Sequence, residues 1–132
     1  NKRVIDLKKG IDETLEVKNS QLQKALKKNL QITNNLDDIS SCNIFIVTVP
    51  TPIDKNKDPD FKPLLDVCKK ISKLLKNGDI IAFESTVYPG ATEEICAKEL
   101  EKNKRSLKSG VDFFLGYSPE RVNPGDKKRT IK

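Results

Sequence analysis

The sequence predicts an α/β fold, part of a doubly wound parallel sheet. Three observations carry this expectation. From Asn43 onward the patterns run strand, helix, strand, helix, strand, and successive βαβ units imply parallel strands joined by right-handed crossovers. The strand cores are continuously apolar rather than alternating, IFIV at Ile44–Val47 and IIAF at Ile80–Phe83, as expected of parallel strands covered on both faces. Each strand pattern stops at a polar turn holding Pro with Ser or Thr, and in open parallel sheets ligands bind outside the C-terminal strand ends.

The elements follow in order. Val4, Ile5 and Leu7 make a partial apolar face on a helix over residues 1–9, and Gly10 is a fitting stop. Residues 11–19 read as a polar connection. Ser20 with Gln23 forms a capping-box pattern, so a helix should run to about Asn29 with Leu22, Ala25 and Leu26 inward. Leu30–Thr33 reads as a short strand, and Leu36–Ser40 as one helical turn capped by Asn35. Asn43–Thr48 is the strongest strand, ended by Val49-Pro50-Thr51-Pro52. Asp60 is placed to cap a helix over Phe61–Lys76, where Leu64, Val67, Cys68, Ile71, Leu74 and Leu75 keep helical spacing. Asn77-Gly78 closes it. Asp79–Glu84 is the second strand, Ser85–Gly90 its turn, and Ala91–Asn103 a helix with Ile95, Cys96 and Leu100 inward. After a basic loop, Val111–Gly116 is the third strand, and from Tyr117 the pattern is irregular.

Composition excludes several function classes. The chain has 132 residues and a net charge of +6. The charge is nearly all lysine; the arginines are Arg3, Arg105, Arg121 and Arg129. Nucleic-acid readers favour arginine and exposed aromatics, and here the lysines interleave with Asp and Glu on helix faces, so a solvated surface is expected and no nucleic-acid partner. No apolar run approaches the roughly 20 residues that span a bilayer, and NKRVIDLKKG lacks the core of a signal peptide; the expectation is a cytoplasmic protein with no membrane partner. Histidine is absent, which removes His-based acid–base chemistry and most catalytic zinc sites. Cys42, Cys68 and Cys96 form no CxxC pair, so neither a disulfide nor a metal site is expected. Cys68 and Cys96 read as small core residues.

The turns carry the chemistry. Two prolines fix the backbone around Thr51, which can present a hydroxyl at a strand end or simply satisfy it in a rigid turn. Ser85 and Thr86 add hydroxyls able to position a water or a ribose. Gly90 precedes a helix, whose free N–H groups suit an anion. Glu93 and Glu94 fall in the first helical turn, where carboxylates favour the helix dipole. In Tyr117-Ser118-Pro119-Glu120-Arg121-Val122-Asn123-Pro124-Gly125, Glu120 offers a base or a water-orienting carboxylate and Arg121 a clamp for phosphate or carboxylate; a surface ion pair is the bland alternative. No GxGxxG loop occurs in the chain. A dinucleotide fold normally opens with one, so the expectation is a partial Rossmann-like sheet lacking its first Gly-rich βα unit. Residues 1–116 would be the partial nucleotide domain, and 117–132 an active-site segment leading out of it.

VPTP at Val49, ESTVYPGATEE at Glu84 and YSPERVNPGD at Tyr117 together resemble the UDP-glucose/GDP-mannose dehydrogenase family, and within it the UDP-N-acetyl-hexosamine 6-dehydrogenases. The resemblance covers essentially the whole chain. It implies an NAD-dependent oxidation of a sugar C6 alcohol to a carboxylate through two hydride transfers, on a UDP-sugar, for bacterial surface polysaccharides. It implies that Arg3 lies near the adenosine ribose of NAD and that Thr51 contacts NAD. Thr86 matches a threonine that contacts NAD and orders the catalytic water, and Glu120 one beside substrate and water. Arg121 and Val122 match positions on the nucleotide sugar. Where the UDP-glucose branch has a second glutamate, this sequence has Pro124. The family's Gly-rich loop and nucleophilic cysteine have no counterpart in these residues, so the isolated chain is expected to be inactive and the full-length protein to be a homo-oligomer. The competing reading is a non-enzymatic α/β module that binds a nucleotide or a partner through the same turns.

Overall fold

The computed structural model describes residues 2–53, 55, 58–103 and 105–119. The chain divides into two compact units, Asn1–Ser41 and Cys42–Lys132.

The first unit is helical. α1 spans Lys2–Lys8 and ends as the sequence predicts. Gly10 takes a φ of +75°, its N–H bonds the Leu7 carbonyl, and Ile11 N–H bonds back to Asp6; this paired closure needs a left-handed residue, which glycine supplies without strain. A Cβ at Gly10 would lie 2.4 Å from Gln23 Cγ. α2 spans Asn19–Leu26. The expected capping box is not formed: the helix starts before Ser20, with Lys18 at the N-cap position and no side-chain cap. Asn19 is drawn in the other direction, accepting from Asp12 N–H at 3.1 Å. The strand expected at Leu30–Thr33 is also absent. Thr33 bonds Asp38 and Asn35 instead, local side-chain bonding that competes with extended pairing. The helical turn is present, as a 3-10 turn over Leu36–Ile39 capped by Asn35.

The second unit is the α/β part. β1 (Ile44–Val47), β2 (Ile80–Phe83) and β3 (Phe114–Tyr117) form a parallel sheet in sequence order. α3 spans Lys62–Ser72; Pro63 stands in its first turn, where a missing N–H costs nothing, and Asp60 accepts from Lys62 N–H at 2.9 Å. The segment after β2 departs from expectation. Thr92–Ala97 is π-helical and only Lys98–Leu100 (α4) is α-helical.

α3 packs against both the π segment and α4, so both crossovers lie on one face of the sheet, as two right-handed connections running the same way require. Phe45, Val47, Ile81 and Phe83 point into that core, with Leu64, Cys68, Ile71, Leu75, Cys96, Leu100 and Phe113. Each large side chain so buried contributes about 1.5–3 kcal/mol. The opposite face differs from the expectation of double coverage: Ile44 is 58% and Ile46 62% exposed, and Ile80 and Phe114 are also exposed. Within this unit, the apolar strands are therefore covered by helices on one face only. No helix among the described residues is long and apolar enough to cross a membrane.

Candidate functional site

Register builds the site. Val47 pairs with Phe83, and Phe83 with Tyr117, so the three strands end in one row and their turns leave the same edge of the sheet. The row continues for one bond on each side: Glu84 N–H donates to Val47 O at 2.8 Å, and Ser118 N–H to Phe83 O at 3.0 Å. Thr51 follows β1, Thr86 follows β2, and the sequence bearing Glu120 follows β3.

Thr51 is held between Pro50 and Pro52, and its segment is closed by Asp60 N–H donating to Pro52 O at 2.7 Å and an antiparallel bridge between Ile53 and Pro59. The Thr51 hydroxyl is buried and has no hydrogen-bond partner among the described residues. A buried hydroxyl left unpaired costs on the order of 1–3 kcal/mol, so this oxygen is suited to a ligand rather than to the fold. Thr86 is exposed. Its neighbour Ser85 is buried, and Ser85 Oγ donates to Val49 O at 2.6 Å; of the two hydroxyls expected to face a ligand, this one is used within the protein.

Part of the anion site expected around Gly90 is used within the turn itself. Gly90 has a φ of +92°, and the N–H groups of Ala91, Glu93 and Glu94 all donate to carbonyls of the turn, Tyr88 or Gly90. Glu94 Oε1 would stand 3.2 Å from a Cβ at Gly90, so a carboxylate lies beside Gly90, where it disfavours an anion.

Two features were not legible beforehand. Tyr88 meets Phe61 edge to face, ring centroids 5.7 Å apart, which joins the turn after β2 to the residue preceding α3. Tyr117 belongs to β3, and its hydroxyl donates weakly to Val87 O at 3.4 Å. The only sequence signal was that both tyrosines fall in the turns.

Arg3 lies in α1 of the first unit and pairs with Asp12, Nη1 to Oδ1 at 2.8 Å. Asp12 also accepts from the N–H groups of Thr14, Glu16 and Val17 and from the Thr14 hydroxyl. The Val17 N–H first, then the Thr14 hydroxyl and Arg3, hold its carboxyl well below the usual carboxylate range. Glu120, Arg121 and Val122 lie outside the described residues. Cys68 and Cys96 are buried as expected, and Cys42 is exposed. The Cys96 sulfur beside it, together with burial, pushes the Cys68 thiol up, which keeps it protonated and unreactive. Among the described residues no cluster of His, Cys, Asp or Glu is placed to hold a metal ion.

Comparisons with known proteins show the family and the fold. The model of the UDP-glucose/GDP-mannose dehydrogenase family, NAD binding domain, matches residues 1–130. The chain is 54% identical over 129 residues to a UDP-N-acetyl-D-glucosamine 6-dehydrogenase of Pseudomonas aeruginosa. It is 44% identical over 130 residues to one from Salmonella typhi. Each alignment covers 98% of this chain and 30% of the relative, so the chain spans about a third of their length. Among solved structures, a UDP-D-ManNAc dehydrogenase from Pyrococcus horikoshii superposes with a TM-score of 0.86 at 31% identity, over 95% of this chain and 30% of that one.

Proposed function

Because this chain belongs to the UDP-glucose/GDP-mannose dehydrogenase family, as its NAD binding domain, we propose that it serves an NAD-dependent 6-dehydrogenase acting on a UDP-N-acetyl-hexosamine. The name of the 54% identical relative, a UDP-N-acetyl-D-glucosamine 6-dehydrogenase, supports UDP-N-acetyl-D-glucosamine as that substrate. The reaction converts a C6 alcohol and a water to a carboxylate, with two NAD accepting one hydride each and three protons released. The observation that carries the reading is the common row of Val47, Phe83 and Tyr117, which sends the motif-bearing turns out of one sheet edge.

The residues present fit the cofactor. The Thr51 hydroxyl, unpartnered among the described residues, is suited to a polar group of NAD, and the exposed Thr86 after the neighbouring strand to NAD and the attacking water. Glu120 would orient or deprotonate that water, and Arg121 and Val122 would hold the nucleotide sugar. Arg3 is assigned to the adenosine ribose; its pairing with Asp12 fixes the guanidinium in direction while leaving it partly exposed. Action in the cytoplasm, in supply of surface polysaccharide, and a homo-oligomeric state belong to the same proposal and rest on family membership.

The test is an assay of the dehydrogenase carrying this domain. Two NADH formed per UDP-N-acetyl-D-glucosamine, at higher kcat/KM than for UDP-glucose, supports the proposal. Efficient turnover of UDP-glucose and none of any UDP-N-acetyl-hexosamine contradicts it.

A further inference from the structure

The bond from Ser85 Oγ to Val49 O ties the two proposed NAD turns together where no backbone bond does so among the described residues. Glu84 N–H to Val47 O is the last backbone bond between the two segments among the described residues. Beyond it Pro50 and Pro52 have no N–H to donate. Their rings fix local φ angles but not where the segment lies relative to the turn after β2. The Thr51 side chain gives no anchor either among the described residues, where its hydroxyl is unpartnered. Ser85 fills the gap with a 2.6 Å hydrogen bond at a site only 4% exposed, where water competes little for the donor.

We infer that Ser85 is a positioning residue: through Val49 it sets the separation of Thr51 from Thr86, its own neighbour in the chain. The inference rests on the proposed NAD role of those two threonines. A serine that merely satisfies a carbonyl would affect stability alone. A serine that spaces two ligand hydroxyls affects cofactor affinity as well.

The experiment uses the full-length dehydrogenase carrying this domain, with Ser85→Ala, Thr51→Ala, the double variant and Ser85→Cys. KM is measured separately for NAD and for the sugar nucleotide, beside the melting temperature. Loss of one buried hydrogen bond predicts a rise in KM for NAD of about threefold to tenfold in Ser85→Ala, with KM for the sugar nucleotide unchanged. The double variant should fall short of the product of the two single effects, because Ser85 acts through the Thr51 segment. Ser85→Cys, similar in shape and a weak donor, should recover part of the affinity. A lowered melting temperature with unchanged KM for NAD overturns the inference, as does a fully multiplicative double variant. If Ser85→Ala does not fold, Ser85→Cys is read by the same criteria. If Thr51→Ala itself leaves KM for NAD unchanged, the NAD role falls and this inference with it; if Thr51→Ala raises it and Ser85→Ala does not, only the inference falls.

Discussion

Asp12 organises the first unit through a single carboxylate. It accepts from three backbone N–H groups and one hydroxyl and pairs with Arg3, and all of these favour the ionised form. Its folded pKa therefore lies below its unfolded value of about 3.9. The unfolded chain then binds the extra proton first, so the stabilisation is fully present above the unfolded pKa and is lost as pH falls through it towards the lower folded pKa. The protection of the residue 14–17 amides, relative to their intrinsic exchange rates, should fall on acidification below about pH 4. In Asp12→Asn those amides should be poorly protected already at neutral pH, and that extra acid dependence should vanish. Gly10 is a second single-residue constraint. Gly10→Ala places a side chain at a φ of +75° and against Gln23, and should cost about 1–3 kcal/mol, read as a lower denaturation midpoint. The stop at Gly10 was legible in the sequence. The Asp12 network was hidden, because an aspartate in a polar connection looks the same whether its oxygens face water or five donors.

At the scale of elements, three strands, the long helix and the Asn35-capped turn were legible, because their apolar spacing and stop signals agree. The failures have specific causes. Ser20 and Gln23 have capping-box spacing, yet the helix starts earlier because Asn19 is recruited by Asp12. Leu30–Thr33 has strand-like residues, and among the described residues no strand pairs with it. The π segment was unreadable because Ile95, Cys96 and Leu100 suit an α-helix too; the buried pairs Ala91/Cys96 and Thr92/Ala97, five apart, carry the wider period. π turns recur at functional sites, and this one directly follows the turn bearing Thr86. Between elements, Asp79 is 1% exposed and accepts from Lys76 N–H at 2.8 Å, closing the passage from α3 into β2. Asp79→Ala should cost about 1–3 kcal/mol, seen as a lower melting temperature with KM for NAD unchanged, since the residue lies at the opposite strand end from the candidate site.

For the whole molecule, the family and the edge of the sheet that carries its turns were readable from VPTP, ESTVYPGATEE and YSPERVNPGD. What could not be read was the division of labour within the turns. Ser85 and Thr86 are adjacent hydroxyls of similar chemistry, and only burial separates the internal tether from the free group. In the dehydrogenase carrying this domain, Glu120→Gln should lower kcat by about 10²-fold or more, the usual scale for losing a general base. Thr86→Ala should lower it by about tenfold, near one hydrogen bond's worth. Both should melt close to wild type; melting well below it at unchanged kcat contradicts these roles. The central claim is that the threonines at two adjacent strand ends hold NAD. Its most direct test is a crystal structure of that dehydrogenase with NAD bound. The account predicts the Thr51 and Thr86 hydroxyls within about 3.5 Å of the cofactor. NAD bound with both hydroxyls out of hydrogen-bonding reach would contradict it.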